Sequence, residues 1–141
     1  MSAETPQRIL VIEDNEDNRR IVRDLLTSAG YELHEAHTGE TGVALAAALR
    51  PDLILMDIQL PGIDGYEATR RIKAMTGLRE IPIIAVTSYA LSGDDVRARE
   101  AGCDGYVAKP FSPRALLGVI REWVPVTHSG SRSEPGGPLK P

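Results

Sequence analysis

Four apolar runs of this chain each end at a residue able to handle a phosphoryl group: Glu13 with Asp14, then Asp57, then Thr87, then Lys109. In a sheet whose strands all run the same way, these stops gather at one edge as three carboxylates, a hydroxyl and an ammonium. An aspartate carboxylate is a competent nucleophile toward phosphorus and yields an acyl phosphate, with the protein supplying position and charge neutralisation. Asp57 is the residue assigned that task. Lys109 offers a compact cation for one phosphate oxygen, and the Thr87 hydroxyl can donate to another. Three carboxylates at close range repel or raise one another's pKa unless a cation intervenes. A donor set of oxygens alone calls for a hard ion, and an open cluster favours Mg²⁺ over a calcium cage. Adjacent acids such as Glu13 and Asp14 are by themselves an ordinary solvated loop; their place after an all-apolar run, matched by Asp57, favours the metal.

The elements that must hold these groups follow from periodicity. Ile9–Ile12 is apolar at every position, as in a strand buried on both faces. Asn15 to Ala29 carries Ile21, Val22, Leu25, Leu26 and Ala29 at helical spacing and closes at Gly30. Tyr31 to Ala36 alternates like a half-exposed edge strand, and an Ala-rich helix from Gly39 to Leu49 follows its cap Thr38 and ends before Pro51. Leu53–Met56 is the third strand. Asp64 and Glu67 open a helix ending near Met75, and Ile81 to Val86 is the fourth strand, with Pro82 near its start. Ser92 and Asp95 are candidate caps for a helix closing at Gly102. Gly105–Ala108 is a short fifth strand, and Ser112-Pro113 starts a last helix carrying Leu116, Leu117, Val119, Ile120 and Trp123. Five strand-helix repeats with short connections predict a doubly wound α/β domain, whose ligands bind beyond the carboxyl ends of the strands.

One domain accounts for the 141 residues: residues 1–7 are a polar tail, 8–125 the domain, and 126–141 a Ser/Gly/Pro-rich stretch expected to be a disordered tail or linker. Sixteen Lys and Arg against 20 Asp and Glu give a net charge of -4, with no basic block of the kind that grips nucleic acid. Cys103 is the single cysteine and cannot form an internal disulfide, which fits a reducing cytoplasm. No signal-like or membrane-spanning apolar run occurs, so the expectation is a cytoplasmic protein apart from the membrane. His34, His37 and His128 are expected on the surface, Cys103 at a tight turn, and Arg70, Arg71 and Lys73 on a solvated helix face.

The residues resemble the receiver domain of two-component response regulators from about Arg8 to Val124. Ile9 to Asp14 is similar to that family's first strand with its acidic pair, and Met56-Asp57-Ile58-Gln59-Leu60-Pro61-Gly62-Ile63-Asp64-Gly65 to its phosphoacceptor loop. Ala85-Val86-Thr87-Ser88 and Gly105-Tyr106-Val107-Ala108-Lys109-Pro110-Phe111 resemble its hydroxyl and lysine motifs. Four motifs in the right order are far more specific than any one. The resemblance implies a flavodoxin-like fold of strand order 2-1-3-4-5, with Asp57 as phosphoacceptor. It implies Mg²⁺ held by Asp14, Asp57 and the Gln59 backbone carbonyl, with Glu13 acting through water, and a cis bond between Lys109 and Pro110. Thr87 would move toward the phosphoryl group and Tyr106 would turn inward behind it; a half-buried edge aromatic is the plainer reading of Tyr106. Ser88 stands where the family more often has Ala, and Tyr89 is bulky; Gln59 and Tyr89 are expected to screen the acyl phosphate from water.

The implied partners are a histidine kinase or histidine phosphotransfer protein and a downstream target protein, with a phosphorylation-dependent dimer as a further option. A stand-alone regulator is the preferred form, and a receiver cut from a hybrid kinase or longer regulator is the alternative. An aspartate-nucleophile phosphatase is disfavoured because there is no Asp-x-Asp motif, no capping insertion and little room expected for a pocket.

Overall fold

The computed structural model describes residues 6–88 and 94–124. Five strands and five helices alternate along the chain: β1 Arg8–Ile12, α1 Glu16–Ser28, β2 Glu32–Ala36, α2 Gly39–Leu49, β3 Leu53–Asp57, α3 Gly65–Lys73, β4 Ile83–Thr87, α4 Asp94–Ala101, β5 Gly105–Ala108 and α5 Pro113–Trp123. All pairings are parallel, in the order β2-β1-β3-β4-β5. This is the doubly wound domain predicted from periodicity, in the flavodoxin-like strand order that the family resemblance implies.

Alternate residues of the central strands feed two separate cores, because side chains along a strand point to opposite faces. Leu10, Ile12, Ile54, Met56, Ile83 and Ala85 meet Ala46 of α2, Ala68 and Ile72 of α3, and Ala98 and Ala101 of α4. Ile9, Val11, Leu53, Leu55, Ile84 and Val86 meet Val22 and Leu26 of α1 and Leu116 and Ile120 of α5. Burial on both faces explains why β1 and β3 read as unbroken apolar runs. The helices start where local chemistry lets them: Asn15, Thr38, Asp64 and Ser112 each accept a backbone N–H three residues on, which satisfies a donor the helix cannot.

Several boundaries differ from the sequence reading, each for a local reason. The third helix stops at Lys73 rather than near Met75, since Met75, Leu78 and Ile81 form successive turns through Met75 N–Ile72 O, Leu78 N–Met75 O and Ile81 N–Leu78 O bonds. Those turns also hold Ile81 out of β4, which begins at Ile83 and runs on to Thr87. Tyr31 precedes β2 and is buried, its hydroxyl donating to the Val124 carbonyl at 2.6 Å. Ile21 and Trp123, counted among the apolar helix positions, are 53% and 42% exposed. Asp95 lies inside α4 and does not cap it. Ser92, Tyr89 and the 126–141 tail lie outside the described residues.

Candidate functional site

Parallel strands deliver their carboxyl ends to one edge, and β1, β3, β4 and β5 bring the chemistry there. Glu13 follows β1, its N–H extending the sheet to Ala36 O at 3.0 Å, and its side chain is buried, with Oε2 accepting from Asn15 N at 3.1 Å. Asp14 turns to solvent and Asp57 ends β3 at 4% exposure. Glu13, Asp14 and Asp57 each place a carboxylate oxygen within 4.8 Å of the others. Lys109 reaches in from the end of β5, its Nζ 3.1 Å from Glu13 Oε1 and 3.7 Å from Asp57 Oδ2.

Burial, and then the neighbouring Glu13 charge, push the Asp57 carboxyl up to about 7, against the pull of the Lys109 ammonium and the Gln59 N–H. One lysine therefore does not balance the cluster. An all-oxygen donor set with excess negative charge and one solvent-facing member fits a hard divalent cation that keeps part of its water shell.

On the other side of Asp57 the loop after β3 turns toward β4. Gln59 N donates to Asp57 Oδ1 at 3.1 Å, while its side-chain Nε2 donates to Thr87 Oγ1 at 3.1 Å. Thr87 is fully buried, and its carbonyl accepts from Lys109 N at 2.6 Å. Gly65 keeps the loop tight: a Cβ there would stand 2.4 Å from Asp57 O and 2.7 Å from Ile58 Cα. Tyr106 is half-buried, opposite Ala85 and packed toward the α2–α4 core, two residues before the Thr87–Ala108 pair. The Lys109–Pro110 bond is cis.

Beside Asp57, on the α1–α5 side, lies a cleft of about 510 Å³ lined by Asn18, Ile21, Val22, Phe111 and Leu116. It offers more room beside the acids than the sequence led one to expect. Glu13, Asp57 and Lys109 line the same cleft, whose other walls are largely apolar.

The sequence reading missed one member of this site. Arg19 is buried on α1 and donates from Nη1 to the Glu13 carbonyl at 2.8 Å, with Glu16 and Glu35 as its ionic partners. The available signal was position: Arg19, Val22 and Leu26 share the core-facing stripe of the helix. Lys73 also departs from the solvated face assigned to it, since its Nζ binds Arg79 O, Ile81 O and Asp104 Oδ2 at 3.0, 2.8 and 2.8 Å. Arg70 and Arg71 are exposed and pair with Glu67. Cys103 is buried, and burial pushes its thiol pKa up. His34 pairs with Glu32 at 2.7 Å, away from the acids.

Residues 9–121 match the model of the response regulator receiver domain. The chain belongs to that family. The receiver is 43% identical to the polar-differentiation response regulator DivK of Brucella anthropi over 119 residues, covering 84% of this chain and 97% of that one. DivK of Brucella melitensis is 42% identical over 116 residues. Among solved structures, the receiver domain of sensor histidine kinase PA1611 from Pseudomonas aeruginosa is 41% identical with a TM-score of 0.79, spanning 84% of this chain and 98% of that one. That structure has a magnesium ion coordinated in its active site cleft. Chemotaxis protein CheY4 of Vibrio cholerae is 26% identical with a TM-score of 0.81, covering 85% of this receiver and 100% of itself. Among the described residues no helix is long and apolar enough to cross a membrane.

Proposed function

We propose that this receiver accepts a phosphoryl group on Asp57 from a phosphohistidine of a kinase or phosphotransfer protein and converts the acyl phosphate into a changed protein-binding surface. The observation that carries this reading is the buried Asp57 carboxylate flanked by Glu13, Asp14 and Lys109, with Thr87 held at the neighbouring strand end.

An Asp57 oxygen attacks phosphorus, the phosphorus–nitrogen bond breaks, and its electron pair returns to the donor imidazole. Asp57 must be unprotonated to do so, and Lys109 favours that form. Asp14, Asp57 and the Gln59 carbonyl, with Glu13 through water, are the groups assigned to Mg²⁺, which when bound would neutralise charge on the acids and on the phosphoryl oxygens. Lys109 then stands ready for one phosphoryl oxygen and the Thr87 hydroxyl for another. Tyr106 shares the face of Thr87 on the adjoining strand, so movement of Thr87 opens space into which the ring can turn. Relocating these two groups reshapes the surface of α4, β5 and α5, where a downstream target is assigned.

The exposed Ile21 at the mouth of the apolar cleft supports donor approach from the α1 side. A stand-alone regulator of the DivK kind is supported by the match along nearly the whole of DivK. Cytoplasmic residence is supported by the free Cys103 and by the kinase partner proposed above. Transfer of labelled phosphoryl from a phosphohistidine domain tests the reading: base-labile label on wild type and none on Asp57→Asn is expected. Label of equal amount on Asp57→Asn overturns it.

A further inference from the structure

The side chain of Gln59 joins the loop after β3 to the end of β4. Its Oε1 accepts from Ser88 N at 3.3 Å and its Nε2 donates to Thr87 Oγ1 at 3.1 Å. The Ser88 N–H can only donate, so it fixes which end of the amide carries the oxygen and turns the NH₂ group toward Thr87. The same residue's backbone N–H is committed to Asp57 Oδ1 at 3.1 Å. One residue therefore reads the phosphoacceptor with its main chain and holds the β4 hydroxyl with its side chain.

We propose that Gln59 is a positioning residue that latches the unphosphorylated state by holding the Thr87 hydroxyl in its resting position. This rests on the phosphoacceptor reading above and deepens it. The amide donates to a lone pair of Oγ1 whereas a phosphoryl oxygen on Asp57 would take its proton, so the two contacts oppose each other through the position each asks of Oγ1. Breaking the bond frees the Thr87 hydroxyl, while the Ser88 N–H contact keeps the amide tied to the end of β4. The latch sets how much of the protein already holds Thr87 in the outward or inward position before any phosphate arrives.

The test is Gln59→Met, which keeps chain length and removes both amide bonds, with the Thr87 χ1 rotamer populations read from three-bond couplings in phosphate-free protein. The wild type is expected to show one dominant rotamer; in the variant its excess over the others falls roughly 3- to 10-fold, the value of a neutral hydrogen bond. The rate of Asp57 modification by acetyl phosphate should rise by a comparable factor, and that rise should vanish when Gln59→Met is combined with Thr87→Val. A wild-type rotamer distribution in Gln59→Met, or an equal rate gain in the Thr87→Val background, overturns the latch. The coupling measurement needs no phosphate, so a wild type that fails to accept phosphoryl defeats the phosphoacceptor reading and leaves the rotamer result to decide this one.

Discussion

Arg19 holds the main-chain carbonyl of Glu13 through a 2.8 Å bond from its buried guanidinium. The acids that stand at the end of β1 are thus placed by a helix that follows them. Groups that orient metal ligands typically change affinity about 10- to 100-fold when removed. Arg19→Gln is accordingly expected to weaken Mg²⁺ binding about 10-fold or more, measured by titration calorimetry, whereas Arg20→Gln, an exposed neighbour, leaves it unchanged.

The Asp57 carboxyl is raised to about 7, so the folded protein keeps a proton that the unfolded chain releases near ~3.9. Stability from this group is therefore fully present below about pH 4 and is lost as pH climbs to about 7, with a slope of at most about 1.4 kcal/mol per pH unit. Urea unfolding without divalent metal should show that decline in wild type relative to Asp57→Asn. Added Mg²⁺ should flatten the difference and bind more tightly as pH rises through 7.

Lys109 pairs with both Glu13 and Asp57, at 3.1 and 3.7 Å. Lys109→Ala leaves two buried carboxylates facing each other, a loss of about 1–3 kcal/mol in metal-free protein at pH 8. The circular dichroism spectrum should stay native, because the lysine contributes little to either core, and Mg²⁺ should restore part of the lost stability.

Gly65 tests how rigid the phosphoacceptor loop must be. A methyl group there meets the Asp57 carbonyl and the Ile58 Cα, both backbone atoms that cannot rotate aside. Gly65→Ala should cost about 1–3 kcal/mol and slow phosphoryl uptake, while Gly118→Ala, with open space around it, should do neither.

The fold was legible because its strands are buried on both faces, and an apolar run such as Ile9–Ile12 admits little else. Asp57, Thr87 and Lys109 were legible as a set because each stands at a strand's carboxyl end, where parallel topology gathers them. Arg19 was not, since a charged residue on a helix stripe reads as solvated until its buried partners are placed. Nor was the reach of the Gln59 amide to Thr87, which depends on a rotamer and on the separation of two loops distant in the chain. Ile81 and Tyr31 misled for a related reason: both are apolar beside a strand, and only the backbone bonds Ile81 N–Leu78 O and Tyr31 N–Leu26 O show them to lie outside it.

The most direct measurement is the intact mass of the protein after incubation with acetyl phosphate, with and without Mg²⁺, for wild type and Asp57→Asn. The account predicts one added phosphoryl group on wild type, dependent on Mg²⁺, and none on Asp57→Asn. The same adduct on Asp57→Asn, or none on wild type with Mg²⁺ present, would contradict it.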